Sequence, residues 1–256
     1  MSRAGADIGA RCSDEEWAVR VELAACYRAF AHYGWTDLIF THLSARVPGQ
    51  TNRYLINPYG LLFQEIRASN LIKVDFDGKV IDGDYPYNEA GHAIHSAMLR
   101  ARPDVNIALH SHTRAGIAVS CMRCGLLPLS QQANEIRDLL CYHDYGGIAR
   151  SGSEECERLG ADLGEKWIMI MRNHGLLTVG RSVAEAFYFM YTVENACKVQ
   201  VDALAGGGEL VTPAAAVIDE MAHEGEVGAA GTAEYVEMSW NAVLRLLEQK
   251  DSSFRS

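Results

Sequence analysis

Prolines are few, six in 256 residues, and no run of 18 apolar residues occurs. The second absence excludes a membrane-spanning helix. Positive charge is short as well: 23 lysines and arginines face 33 aspartates and glutamates, a formal net charge of −10. Phosphate-rich surfaces repel such a chain, so neither nucleic acid nor an anionic membrane is expected as a partner. Cysteine is too sparse for a disulfide framework, and its count of seven is odd. Cys121 and Cys124 form a lone CxxC with no second pair at zinc-site spacing, so reduced, mostly buried thiols are expected. The opening residues, MSRAGADIGARCSDEE, hold no apolar segment. Residues 1–12 therefore read as a disordered leader, not a secretory signal, and cytoplasm is the expected location. No internal repeat is visible.

What is present is a globular composition, 48% apolar and 22% charged, in a chain long enough for a large core. Residues 13–256 read as one domain ending in a helical extension. Ser13-Asp-Glu-Glu16 and Ser182-Val-Ala-Glu185 have capping-box spacing. Each opens a stretch of helical apolar periodicity, the first stopping at Gly34 and the second at Gly206-Gly207-Gly208. That glycine run follows a helix instead of linking a strand to one, so it is a stop and not a phosphate loop. Further helices are expected at 89–102, 113–122, 154–165 and 233–248. Strands are expected at 39–47, 54–56, 105–109, 167–171 and 176–179. A hairpin over 71–81 would turn on Asp77-Gly78. Helices alternate with strands while hairpins also occur, which implies an α/β fold with a mixed sheet and helices on its faces.

The stretch DVNIALHSHTRAG, residues 104–116, ends an apolar run in two histidines separated by one serine. Side chains two apart on a strand point the same way, so His110 and His112 leave its end on one face. They are either metal ligands or ordinary polar residues at a strand end. His174, in Asn173-His174-Gly175, follows another apolar strand. Strand ends at one edge of an α/β sheet collect ligands, and three imidazoles would leave a coordination position open for chemistry.

That stretch is accompanied by INPYGLLFQEI (56–66), NEAGHAIHSAMLRARPDV (88–105), GLLPLSQQA (125–133), YHDYGGIA (142–149) and RNHGLLTVGRSVAEAFYFMYTVENACKVQ (172–200). Together, in order over roughly 15–210, they resemble the class II aldolase/adducin family. The resemblance implies a three-layer α/β/α fold around a central, mixed, mainly antiparallel sheet. It implies one divalent metal, zinc or alternatively iron(II), on His110, His112 and His174. It also implies a homotetramer whose active site lies at a subunit boundary.

Departures from the family carry the functional information. Sugar-phosphate aldolases of the family have a Gly-Asn pair where this chain has Thr41-His42, before Leu43-Ser44-Ala45-Arg46. Counted back from His110, their Ser-Ser-Glu motif falls on Glu89, Ala90 and Gly91. Glu89 stands two residues early, a rotation of about 200° on a helix. The phosphate seat and the usual proton-transfer carboxylate both look lost, and a non-phosphorylated small molecule is the expected substrate. His42, Glu89 and Tyr142 are the candidate catalytic residues, with His143, Tyr59, Tyr145 and Tyr191 as further polar groups of open role. Three functions follow: a metal-dependent carbon–carbon lyase, a non-haem iron oxygenase acting beside a 2-oxo acid, and a non-catalytic adducin-type interaction module. The apolar positions Tyr235, Met238, Trp240, Leu244 and Leu247 of the last helix suit either the core or a neighbouring subunit.

Overall fold

The computed structural model describes residues 12–147, 152–230 and 234–256. The leader expected at 1–12 lies, Cys12 apart, outside them. One eight-stranded sheet organises the rest, in the order β4-β3-β2-β1-β5-β8-β7-β6. Its strands are β1 (His42–Arg46), β2 (Arg53–Ile56), β3 (Ile72–Asp75), β4 (Val80–Asp82), β5 (Ile107–Ser111), β6 (Leu140–His143), β7 (Ile168–Met171) and β8 (Gly175–Gly180). Every pairing is antiparallel except β6 with β7. That parallel pair needs a crossover, supplied by helix α5 (Glu154–Leu163). The sheet is thus mixed and mainly antiparallel, as expected.

Alternation along β1 and β5 sorts the helices into two outer layers. On one face, α2 (Glu89–Ala101) packs against β1, β5 and α5. On the other, α6 (Val183–Ala205) covers β5, β7 and β8, joined by α1 (Asp14–Tyr33), α3 (Arg114–Ser120) and α8 (Glu234–Lys250). Leu23, Phe30, Leu43, Leu109, Ile170, Leu177 and Met190 are among the fully buried core residues. Among the described residues no helix is long and apolar enough to cross a membrane.

The caps hold in modified form. Ser13 and Ser182 accept from the amides of Glu16 and Glu185, as the spacing predicts. Glu185 reaches one residue further back, to the Arg181 amide. Glu16 is instead drawn into the core, where it accepts from Arg20 Nε at 2.9 Å and Lys73 Nζ at 2.6 Å. A buried carboxylate requires such partners more than a helix start requires a second cap.

Three expectations need correction. The Asp77-Gly78 turn is longer than two residues: β3 ends at Asp75 and β4 begins at Val80. Strand β6 and the short helix α4 (Gln131–Glu135) were not expected. Neither was α7 (Ala215–Ala230). Gly225 has a packing cause: a Cβ there would lie 1.8 Å from the Glu135 carbonyl oxygen, where α7 meets α4.

Candidate metal centre

Register brings the histidines together. His110 is the penultimate residue of β5, and His112 follows two residues later on the same face. The β7–β8 hairpin pairs Met171 with Gly175 and turns through Arg172, Asn173 and His174. Asn173 takes φ +57°, the left-handed conformation that asparagine tolerates better than most residues. A Cβ on Gly175 would lie 2.3 Å from the Ser111 carbonyl oxygen and 3.2 Å from His112 Cδ2. The NHG turn therefore needs its glycine to bring His174 against the HxH segment. His110, His112 and His174 each offer a nitrogen, and the three lie within 4.8 Å of one another.

Each ring has a defined orientation. His110 Nδ1 donates to the Leu176 carbonyl at 2.8 Å, and His112 Nδ1 donates to Asp37 Oδ2 at 3.0 Å. A carbonyl and a carboxylate only accept, so each ring carries a proton on Nδ1, which in the neutral form leaves the lone pair on Nε2. Those two Nε2 atoms face each other at 2.9 Å. At that distance the two nitrogens share a cation, either one ring's own proton or a metal ion. His174 Nδ1 is buried with no hydrogen-bond partner among the described residues. The donor set therefore fits a divalent metal: neutral imidazoles, outer partners fixing the tautomers, and an orphaned buried nitrogen. Electrostatics agree. Burial, then the neighbouring histidines, hold His110 well below the usual histidine range. His174 is pushed down to about 4, chiefly by burial and then by His112.

The HxH segment is also anchored from behind. Ser111 and Thr113 alternate to the α6 side, where Glu194 Oε1 accepts from Ser111 Oγ at 3.1 Å and from Thr113 Oγ1. Glu194 is fully buried, and burial raises its carboxyl above the usual range.

Residues 21–201 match the family described as Class II Aldolase and Adducin N-terminal domain. The chain belongs to this family. An aldolase II superfamily protein from Pseudomonas syringae is similar in structure, with 48% identity, a TM-score of 0.92, and coverage of 97% of this chain and 99% of that one. L-fuculose 1-phosphate aldolase from Glaciozyma antarctica PI12 is 27% identical, with a TM-score of 0.80 over 94% of this chain and 93% of its own. Alpha-adducin of Mus musculus is 44% identical over 197 residues, which are 75% of this chain and 26% of the adducin.

Within this class II aldolase/adducin domain, the other candidate residues scatter. Tyr142 accepts the Leu126 amide on its hydroxyl at 2.9 Å and lies under the Arg172 guanidinium. Tyr145 instead packs on His174, ring centroids 4.0 Å apart. His143 has both nitrogens engaged, by Asp162 at 2.7 Å and Glu155 at 3.0 Å. Glu89 stands exposed on the first turn of α2. His42 does join the cluster's edge: it lies opposite His110 in the β1–β5 ladder, ring centroids 5.1 Å apart. Asp37, His95 and Glu194 escape sequence reading, because no local spacing links them to the HxH segment.

Proposed function

We propose that this protein is a metal-dependent carbon–carbon lyase, of aldol or decarboxylation type, acting on a non-phosphorylated hydroxy- or 2-oxo-acid-like small molecule. The observation that carries the reading is the convergence of three imidazoles, with the Nε2 atoms of His110 and His112 2.9 Å apart and His174 beside them. One divalent metal per chain, zinc first, would be held by these three residues. Bound there, it would supply Lewis acidity toward a carbonyl oxygen and the enolate that develops from it. The residues' own part is to stay neutral and fixed in tautomer, which Leu176 and Asp37 support. Elemental analysis of the parent and of His112→Ala tests the assignment. Unchanged metal in the variant would overturn it.

The expected loss of the family's phosphate seat supports the substrate class. The fuculose 1-phosphate aldolase neighbour is named for a phosphorylated sugar. Here Thr41-His42 and Glu89-Ala90 stand where small amide-donating and hydroxyl groups would hold a phosphate, and Glu89 adds like charge. Calorimetry of a sugar phosphate against its unphosphorylated counterpart decides the matter. Tighter binding of the phosphate refutes this substrate class.

Two other readings have support. Three imidazoles also suit iron(II), so iron in the purified protein with oxygen uptake on 2-oxo acids would favour an oxygenase. The match to alpha-adducin supports an interaction module, which absence of any bound metal would favour. A homotetramer with its site at a subunit boundary also belongs to the proposal. The last helix divides in this respect: Trp240 and Leu247 are covered within the chain, while Tyr235 is 44% and Met238 57% exposed. Further support is the turn Asp37–Phe40 beside His112, where Leu38 is 71% and Phe40 42% exposed. Light scattering of Leu38→Asp against the parent is the test, and identical mass in both would remove that support.

A further inference from the structure

Resting on the metal reading above, we infer that His42 orients a substrate oxygen at the histidine cluster, and that Gly91, His95 and Ser44 hold its ring for that task. The register argument comes first. His42 opens β1 directly across from His110, so both rings leave the same face of the sheet at the same rim. Their planes are tilted by only 32°.

Helix α2 then closes on the ring from outside. A Cβ at Gly91 would lie 2.3 Å from His42 Cδ2, 2.7 Å from Cγ and 2.8 Å from Nε2. No side chain of any kind fits between. A glycine inside a helix costs about 0.5–1 kcal/mol relative to alanine, so its presence on the inner face of α2 has a local cause, and the imidazole is that cause. The position that the family spacing assigns to a carboxylate is thus empty of side chain, and His42 occupies the space.

The same helix fixes the rotation of the ring. His95, one turn beyond Gly91, places Nε2 2.8 Å from His42 Nδ1, and its own Nδ1 lies 2.5 Å from Ser44 Oγ. All three groups are buried. With Nδ1 engaged, Nε2 is the one ring nitrogen left for a ligand. No partner for it exists among the described residues, and the ring as a whole is 4% exposed. Thr41, just before it, adopts φ +64° with its hydroxyl buried and, among the described residues, without a partner. That is an unfavourable conformation for a β-branched residue, of the sort found where a neighbouring group must be aimed.

A single imidazole nitrogen in a closed space makes one directional hydrogen bond. It matches a hydroxyl, carbonyl or carboxylate oxygen of a compact substrate. It does not match a phosphate dianion, which is bound by several converging donors. His42 is therefore a specificity-determining residue of the proposed lyase site.

The test uses the full chain loaded with zinc and acetohydroxamate, a bidentate oxygen donor, as the probe. Metal content and probe affinity are measured for His42→Phe, His42→Gln, Gly91→Ala, His42→Ala and the double variant Gly91→Ala/His42→Ala. Zinc content should match the parent throughout. His42→Phe keeps a ring and loses the nitrogen, so affinity should fall roughly 5- to 10-fold, the worth of one hydrogen bond. His42→Gln should recover most of that loss. Gly91→Ala should weaken the probe in the parent but add nothing in the His42→Ala background, because the methyl group then enters vacated space. Unaltered probe affinity in zinc-replete His42→Phe overturns the inference. So does a Gly91→Ala effect that persists without His42, which decides the case even if His42→Phe fails to fold. A parent that takes up no zinc overturns the metal reading, and this inference with it, and metal analysis alone identifies that outcome.

Discussion

Removing the Asp37 carboxylate should weaken zinc binding by releasing the tautomer of His112 while leaving all three imidazoles in the chain. Asp37 Oδ2 accepts from His112 Nδ1 at 3.0 Å, with the aspartate side chain 44% and the histidine 22% exposed. Its backbone is held separately, through the Phe40 amide on the Asp37 carbonyl at 2.8 Å, so the turn should survive truncation. Outer partners of metal-bound histidines are typically worth 10- to 100-fold in affinity. Solvent screening at this half-exposed carboxylate places the effect at the lower end, about 10-fold, or about 1.4 kcal/mol. Asp37→Ala frees the His112 proton to move to Nε2, where it would block the metal. Asp37→Asn keeps an amide oxygen that can still accept from Nδ1, and should lose only about 3-fold, the charge-assisted part of the bond. Competition with a chromogenic chelator at fixed pH and ionic strength measures both. If Asp37→Ala binds zinc as tightly as the parent, the tautomer argument for His112 fails. If Asp37→Asn is as weak as Asp37→Ala, charge and not proton placement governs the site.

Other perturbations follow from the same geometry. Gly175→Ala would force a methyl group to within 2.3 Å of the Ser111 carbonyl, and backbone cannot yield as a flexible side chain does. Overpacking of this kind costs about 1–3 kcal/mol, and calorimetry should show a lowered Tm together with weaker zinc retention. Tyr27→Phe should destabilise the fold by about 1–3 kcal/mol, because the hydroxyl that accepts the buried Leu43 amide at 2.8 Å and donates to Asn57 disappears. A denaturant midpoint equal to the parent's would contradict that. Glu194 bears on pH. Its carboxyl is raised in the folded state by burial, so its contribution to stability is full below the ordinary glutamate pKa and is lost as pH rises through the folded value. Glu194→Gln cannot ionise, yet its carbonyl oxygen can still accept from Ser111 and Thr113. Its Tm should therefore fall less than the parent's between pH 4 and pH 8, and parallel curves would refute the assignment.

Much of the metal centre was determined by local sequence alone. A period of two puts His110 and His112 on one face wherever that segment is a strand, and the NHG turn follows from an apolar run that must reverse. Asparagine tolerates the left-handed turn position, and glycine leaves room for the neighbouring chain. The serine caps of α1 and α6 are local in the same way, since donor and acceptor lie three residues apart. Tertiary structure decided the surroundings. Asp37 reaches His112 across 75 residues, Glu194 reaches Ser111 across 83, and His95 reaches His42 across 53. No spacing rule encodes such pairs, because they depend on strand register and on how closely a helix approaches the sheet. Glycine shows the limit most clearly. Gly91 looks like a weak point in a helix and Gly225 like part of no helix when read in sequence, and only the His42 ring and the Glu135 carbonyl beside them reveal that a Cβ at either would collide with its neighbour.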